Sequence, residues 1–183
     1  MTAVTILTGP ARPFTRADLD AMPDDGYRYE LLDGMLLVSA APVPRHQVVS
    51  GNLYLLLRHG CPADLQVVYA PLDVVLADDT VLEPDLLVAP RDQFSAKDLP
   101  GAPLLAVEIL SPSTRRVDRL LKRDRFQEAG CPSYWLVDPA QPSVIVLELE
   151  GGAYAERGRA AGDERLDVAL PYPVTIVPSD LLA

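Results

Sequence analysis

Cysteine and histidine are nearly missing from this chain, whose 183 residues hold two of each. Cys61 and Cys131 stand far apart, each before a proline. That spacing excludes a zinc cluster and a disulfide framework, and leaves two inert, partly buried thiols. His46 and His59 make no recognisable ligand pair. Nowhere does the chain approach the roughly 20 uninterrupted apolar residues a membrane span needs. Its beginning lacks the basic start and long apolar run of a secretory signal. The expectation is a cytoplasmic protein without a membrane partner. Positive charge is short as well: 16 Lys and Arg against 26 Asp and Glu, a net charge of −10. That balance argues against a general nucleic-acid coat, because phosphate contact needs local cations. Gly9-Pro10 and Gly151-Gly152 match neither the P-loop nor the dinucleotide fingerprint. The Gly-x-Ser-x-Gly elbow of one hydrolase class is missing too.

What is present is an ordinary globular mix, 49% hydrophobic and 23% charged, in a length suited to one domain with a substantial core. Thr15 and Asp18 mark a short helix ending before Pro23. Residues 27–32 and 35–39 flank Asp33-Gly34, the strongest short hairpin signal. A helix follows from about 46 to 59, with Val49, Leu53, Leu56 and Leu57 at helical spacing. Strands are expected over 65–69, 72–76, 81–88 and 104–110, then a helix from the 111–114 turn to about 129, closed by Gly130. A strand over 134–137, a peripheral hairpin from 144 around Gly151-Gly152 and a tail over 171–183 complete the chain. This order predicts an α/β domain, a mixed sheet flanked by helices, without regular βαβ alternation.

Two residues stand out against that pattern. Asp85, in Glu83-Pro84-Asp85, and Glu108 each interrupt an apolar, strand-like run, where a carboxylate is costly unless compensated. On neighbouring strands the two would share one hard cation, and magnesium, which keeps several waters, needs no more than two carboxylates plus substrate phosphate. Pairing of each with one of the many arginines is an equally weighted reading. Lys122 follows on the next helix, four residues after Asp118. The pair reads either as a surface i,i+4 contact or as an ammonium beside the carboxylates that orients water. Between 115 and 125 six basic residues face two acidic ones. This local surplus of four marks either a solvated helix face or a phosphate-binding surface.

Several motifs in one order resemble the Uma-two family of putative restriction endonucleases. They are Tyr29-Glu30-Leu31-Leu32-Asp33-Gly34, Pro44-Arg45-His46-Gln47, Glu83-Pro84-Asp85, and Val107-Glu108-Ile109-Leu110-Ser111-Pro112-Ser113-Thr114. Asp118, Lys122, Gly130 and Tyr134-Trp135-Leu136-Val137-Asp138-Pro139 complete the likeness, which spans roughly residues 15–182. The family resembles a branch of the PD-(D/E)XK nuclease superfamily, which implies a restriction-endonuclease-like fold over 1–183. The nuclease core would cover about 45–138, preceded by a helix and hairpin over 15–39 and followed by a hairpin and tail over 144–183.

By the same resemblance Asp85 is the aspartate of the PD element and Glu108 the second metal-binding acid. Leu110 stands where the lysine is usual, and Lys122 replaces it from the helix. Glu30 is an additional acid near the metal, and His46 lines the cleft. Phe126 occupies a position where tyrosine is common. The implied activity is Mg2+- or Mn2+-dependent hydrolysis of DNA by a homodimer. Separately, the basic surplus over 115–125 would place Arg116, Arg119 and Arg123 on the substrate. The alternative is a catalytically silent nucleic-acid-binding or protein-interaction module on the same fold. Relief of like-charge repulsion predicts that Asp85→Asn leaves the metal-free protein no less stable.

Overall fold

The computed structural model describes residues 4–9, 12–112 and 114–183. Pro10, and Ser113 of the turn before the third helix, lie outside them. The chain opens with β1 (Thr5–Thr8) and α1 (Arg16–Leu19). At the start of α1 the Thr15 N–H donates to Asp18 Oδ2 at 2.8 Å, which ties the first turn back to its cap. The hairpin β2 (Arg28–Leu32) and β3 (Met35–Ser39) turns at Asp33 and Gly34, whose φ angles of 51° and 72° suit a primed turn. Helix α2 (Pro44–His59) begins slightly before its apolar periodicity, because Pro44 fills the first turn, where a missing N–H costs nothing. Its buried stripe is Val49, Leu53 and Leu57.

Next come β4 (Leu65–Tyr69), β5 (Val74–Ala77), β6 (Thr80–Leu82) and β7 (Leu86–Pro90). The single strand expected over 81–88 is therefore two. Glu83-Pro84-Asp85 falls between them, and Pro84 has no N–H to give to a ladder. The short β8 (Leu99–Pro100) had no sequence signal, and β9 (Leu105–Ile109) follows the expected run. The third helix enters through a wide π turn over Val117–Lys122 and continues as α3 (Arg123–Glu128). The chain ends in β10 (Ser133–Asp138), β11 (Ser143–Glu150), β12 (Ala153–Ala161), β13 (Leu166–Val168), β14 (Val174–Ile176) and a 3-10 turn, Pro178–Leu182.

Two six-stranded sheets result, rather than one. The order β12-β11-β10-β9-β7-β4 forms the central sheet, with β9 and β10 parallel and its other pairs antiparallel. The order β1-β3-β2-β6-β5-β8 forms the second, and β13 and β14 make a two-stranded ribbon. Side-chain alternation splits the central sheet cleanly. Val67, Val88, Val107, Trp135 and Val146 face α2 and the C-terminal ribbon in one core. Leu87, Ala106, Leu110, Tyr134 and Leu136 face the second sheet and the third helix in another. Among the described residues no helix is long and apolar enough to cross a membrane.

Candidate active site

The charged cluster lies where the chain passes between the two sheets. β7 and β9 are antiparallel neighbours with Leu86 opposite Val107, so one further step sets Asp85 against Glu108. Alternation then turns Glu108 to the side of Ala106 and Leu110, toward the third helix. Glu30 arrives from β2, and its Oε1 accepts the Glu83 N–H at 2.8 Å, which fixes the crossing to the second sheet. From the other side the π turn sends Asp118 and Lys122 inward while Leu120 and Leu121 stay exposed.

Glu30, Asp85, Glu108, Asp118 and Lys122 are all buried, the last of them only 1% exposed. Lys122 Nζ stands 2.7 Å from Glu30 Oε1, 3.2 Å from Glu108 Oε1 and 3.9 Å from Asp118 Oδ1. The Asp118–Lys122 pair is therefore interior, not a surface contact. Asp85 is held by three donors: Arg28 Nη1 at 3.2 Å, His46 Nε2 at 3.1 Å and the Ile109 N–H at 2.7 Å. Arg28 also lies 3.7 Å from Glu30. Tyr134 donates its hydroxyl to the Asp118 carbonyl at 2.8 Å and so anchors the π turn to β10.

Burial opposes ionisation at every carboxylate here, and local partners decide the outcome. At Asp85 burial is overcome by His46, Arg28 and the Ile109 N–H, which hold the carboxyl down to about 2. Glu30 is likewise lowered, against burial, by Lys122 and Arg28. Burial carries Glu108 well above the ordinary range; Lys122 opposes this, while Asp118, Asp85 and Glu30 add to it. Burial also lifts Asp118 to about 6, against the pull of Lys122. Glu83, partly buried beside Glu30, rises to about 7. Lys122 keeps its proton firmly, because Glu108 and Glu30 outweigh its own burial.

The cluster adjoins a cleft of about 1090 Å³ whose walls include Arg28, His46, Glu83, Asp85 and Ile109. Glu30, Glu108 and Lys122 lie behind that floor and do not line it. Among the described residues no three His, Cys, Asp or Glu side chains form a ready-made metal cluster. The donor set on offer is Asp85 and Glu108, two hard carboxylates, and it suits magnesium better than a softer ion. In addition, Asp118 Oδ1 is buried without a hydrogen-bond partner.

The structure therefore brings Glu30, Asp85, Glu108, Lys122 and His46 together. Arg116, Arg119 and Arg123 stand apart from them, and none lines the cleft. Arg116 is exposed, Arg123 pairs with Asp124 at 2.6 Å, and the Arg119 Nε is buried without a partner. Sequence reasoning missed Arg28. Its signal was the strand period, since two residues before Glu30 means the same face of β2.

Residues 16–177 match a family model, Uma2, described as a putative restriction endonuclease. No curated protein matches the chain. A solved structure described as a putative nuclease belonging to DUF820, from Anabaena variabilis ATCC 29413, matches with a TM-score of 0.71. The match covers 93% of this chain and 98% of that one at 18% identity. At that identity the likeness is one of fold.

Proposed function

The chain belongs to the Uma2 family of putative restriction endonucleases, and from that membership we propose a metal-dependent nuclease that hydrolyses DNA phosphodiester bonds. One observation carries the reading. Four buried carboxylates, Glu30, Asp85, Glu108 and Asp118, surround two permanent cations, Arg28 and Lys122. Fully ionised, the cluster is two positive charges short, and burial lifts the Glu108 and Asp118 carboxyls against that ionisation. One divalent cation would supply both charges.

Asp85 and Glu108 would hold Mg2+, or Mn2+ in its place, with Glu30 supporting the ion or one of its waters. When bound, such an ion supplies Lewis acidity toward water and neutralises charge on a phosphodiester. The chain's own residues do the rest. The Ile109 N–H and His46 fix the Asp85 carboxylate, so it meets the cleft in one orientation. Lys122 keeps positive potential behind Glu108, where it positions or activates water. Arg116, Arg119 and Arg123 would contact substrate outside the cleft, and a homodimer would present two such faces.

A second reading, a catalytically silent module, draws on the arginine. Arg28 and Lys122 already pair with the acids, as a structural network requires. Calorimetric titration with magnesium and manganese, run beside plasmid cleavage, separates the two. The nuclease reading expects binding and cleavage in the parent, both lost in Asp85→Asn and in Glu108→Gln. Binding unchanged in both folded variants, or cleavage indifferent to a chelator, would sink it.

A further inference from the structure

Asp85 uses its two oxygens differently. The Ile109 N–H at 2.7 Å and His46 Nε2 at 3.1 Å both lie on Oδ2. Among the described residues the one hydrogen-bond donor to Oδ1 is Arg28 Nη1, at 3.2 Å. The scaffold therefore fixes the carboxylate by one oxygen and leaves the other to a long, flexible side chain. That second oxygen is the one open to a metal. A magnesium ion would stand about 2.1 Å from it and would face a like charge on the same oxygen.

The two cations of the cluster are not equally held. Lys122 is 1% exposed and stands 2.7 Å from Glu30. Arg28 keeps 24% of its side chain exposed on the cleft wall. Its contacts with Asp85 and Glu30, 3.2 and 3.7 Å, exceed the about 2.7–2.9 Å of a tight charge-assisted pair. Arg28 is the cation that can give way. It also has a second acceptor at hand. Glu83 lines the same cleft, and its Oε2 is buried without a hydrogen-bond partner. Burial works against the Arg28 charge, and Glu30, Asp85, Glu108 and Glu83 together outweigh it, so Glu83 already lies within electrostatic range.

We infer that Arg28 is a positioning residue that holds Asp85 Oδ1 in place of the divalent ion, and that the ion enters by displacing the guanidinium from Asp85 to Glu83. The inference rests on the metal site of the nuclease reading and adds the exchange that loads it. Its physical reason is the cost of a bare buried carboxylate. With the exchange, Asp85 faces a cation before the ion arrives and after it. Lys122, deeper and tighter, stays where it is.

Manganese titration by calorimetry on the full chain compares the parent, Arg28→Met, Glu83→Gln and the double variant, with circular dichroism to confirm folding. Arg28→Met should bind manganese more tightly by roughly fivefold or more, the low end of ordinary coupling between sites. Glu83→Gln should weaken binding in the parent and do much less in Arg28→Met, where no guanidinium needs a new acceptor. Plain loss of charge would make the Glu83→Gln effect equal in both backgrounds, and an arginine that only braces Asp85 would make Arg28→Met bind more weakly. Either result overturns the inference. A second measurement needs no variant: anomalous scattering from a manganese-soaked crystal of the parent should place the ion on Asp85 Oδ1 and the guanidinium against Glu83. An ion at Asp85 with Arg28 still bonded to Oδ1 removes the inference and spares the nuclease. The exchange as described, with no metal-dependent cleavage of plasmid, does the opposite. No binding by the parent removes both.

Discussion

Replacing Lys122 by methionine removes one charge from the most crowded part of the molecule while nearly preserving its volume. The ammonium lies within 4 Å of Glu30, Glu108 and Asp118, at 2.7, 3.2 and 3.9 Å. Deleting one partner of a buried pair leaves the other uncompensated, which costs about 3–5 kcal/mol. That cost should be full at about pH 8, where the unfolded chain has ionised every carboxylate, and should shrink on acidification. The sign follows from linkage. Glu108 and Asp118 hold their protons more tightly folded than unfolded, Asp118 to about 6, and loss of Lys122 raises both further. The folded variant therefore binds protons the unfolded chain has released, and its stability falls as pH rises from the unfolded carboxylate range, about 4, through the folded values. Each proton so held steepens the fall by about 1.4 kcal/mol per pH unit. Lys122 itself titrates far above this window and does not confuse it. Urea unfolding at several pH values from about 5 to 8, in chelator, checks the claim, with the slope m confirming that both proteins unfold alike. A penalty below about 1 kcal/mol near pH 8, or the same penalty at both ends, would show that Lys122 does not compensate these acids.

The remaining predictions are shorter. Asp85→Asn, harmless on like-charge grounds, should instead destabilise the metal-free protein by about 1–3 kcal/mol in neutral urea titrations, because three donors lose an anionic acceptor. The Asp85 carboxyl, held down to about 2, contributes stability that is present above its unfolded value of about 3.9 and lost as pH falls through about 2, so the variant should show the shallower acid transition. Changing Arg116, Arg119 and Arg123 to Ser should weaken DNA binding similarly across sequences. It should also flatten the salt dependence, by less than the roughly 0.9 per contact that three free arginines would give, because Arg123 is already paired with Asp124. A parental salt slope in the folded triple variant would remove that helix from the interface.

What the sequence made legible was whatever depends on short-range pattern. The Asp33-Gly34 hairpin, the α2 stripe, β4, β9 and the β11–β12 hairpin follow from alternation, helical spacing and turn chemistry. Asp85 and Glu108 were visible because a carboxylate in an apolar run is expensive. What escaped depends on contacts far apart in the chain. Apolar periodicity alone cannot tell one strand crossing two sheets from one strand within a sheet, so β6 and β7 read as a single run. Nor does spacing reveal burial. Asp118 and Lys122 have the spacing of a surface pair, and only the packing of the π turn over β9 and β10 makes them interior. Arg28 carried a usable signal in its two-residue offset from Glu30, but nothing local says that β2 passes beside Asp85.

The π turn also explains how a lysine can serve this site from the helix while Leu110 occupies the strand. Leu110 packs in the same buried layer as Val117 and Phe126. A lysine there would have to bury its stem among those apolar neighbours to reach Glu108. From the helix the geometry is easier. The wide turn leaves Leu120 and Leu121 at the surface and brings 118 and 122 back to the interior together. The ammonium is then delivered among three carboxylates instead of beside one. Such turns are uncommon in helices and recur at functional sites, where irregular winding is kept for what it positions. Here it positions one positive charge at the meeting point of both sheets. There Lys122 stands against three carboxylates that reach it from β2, β9 and its own turn.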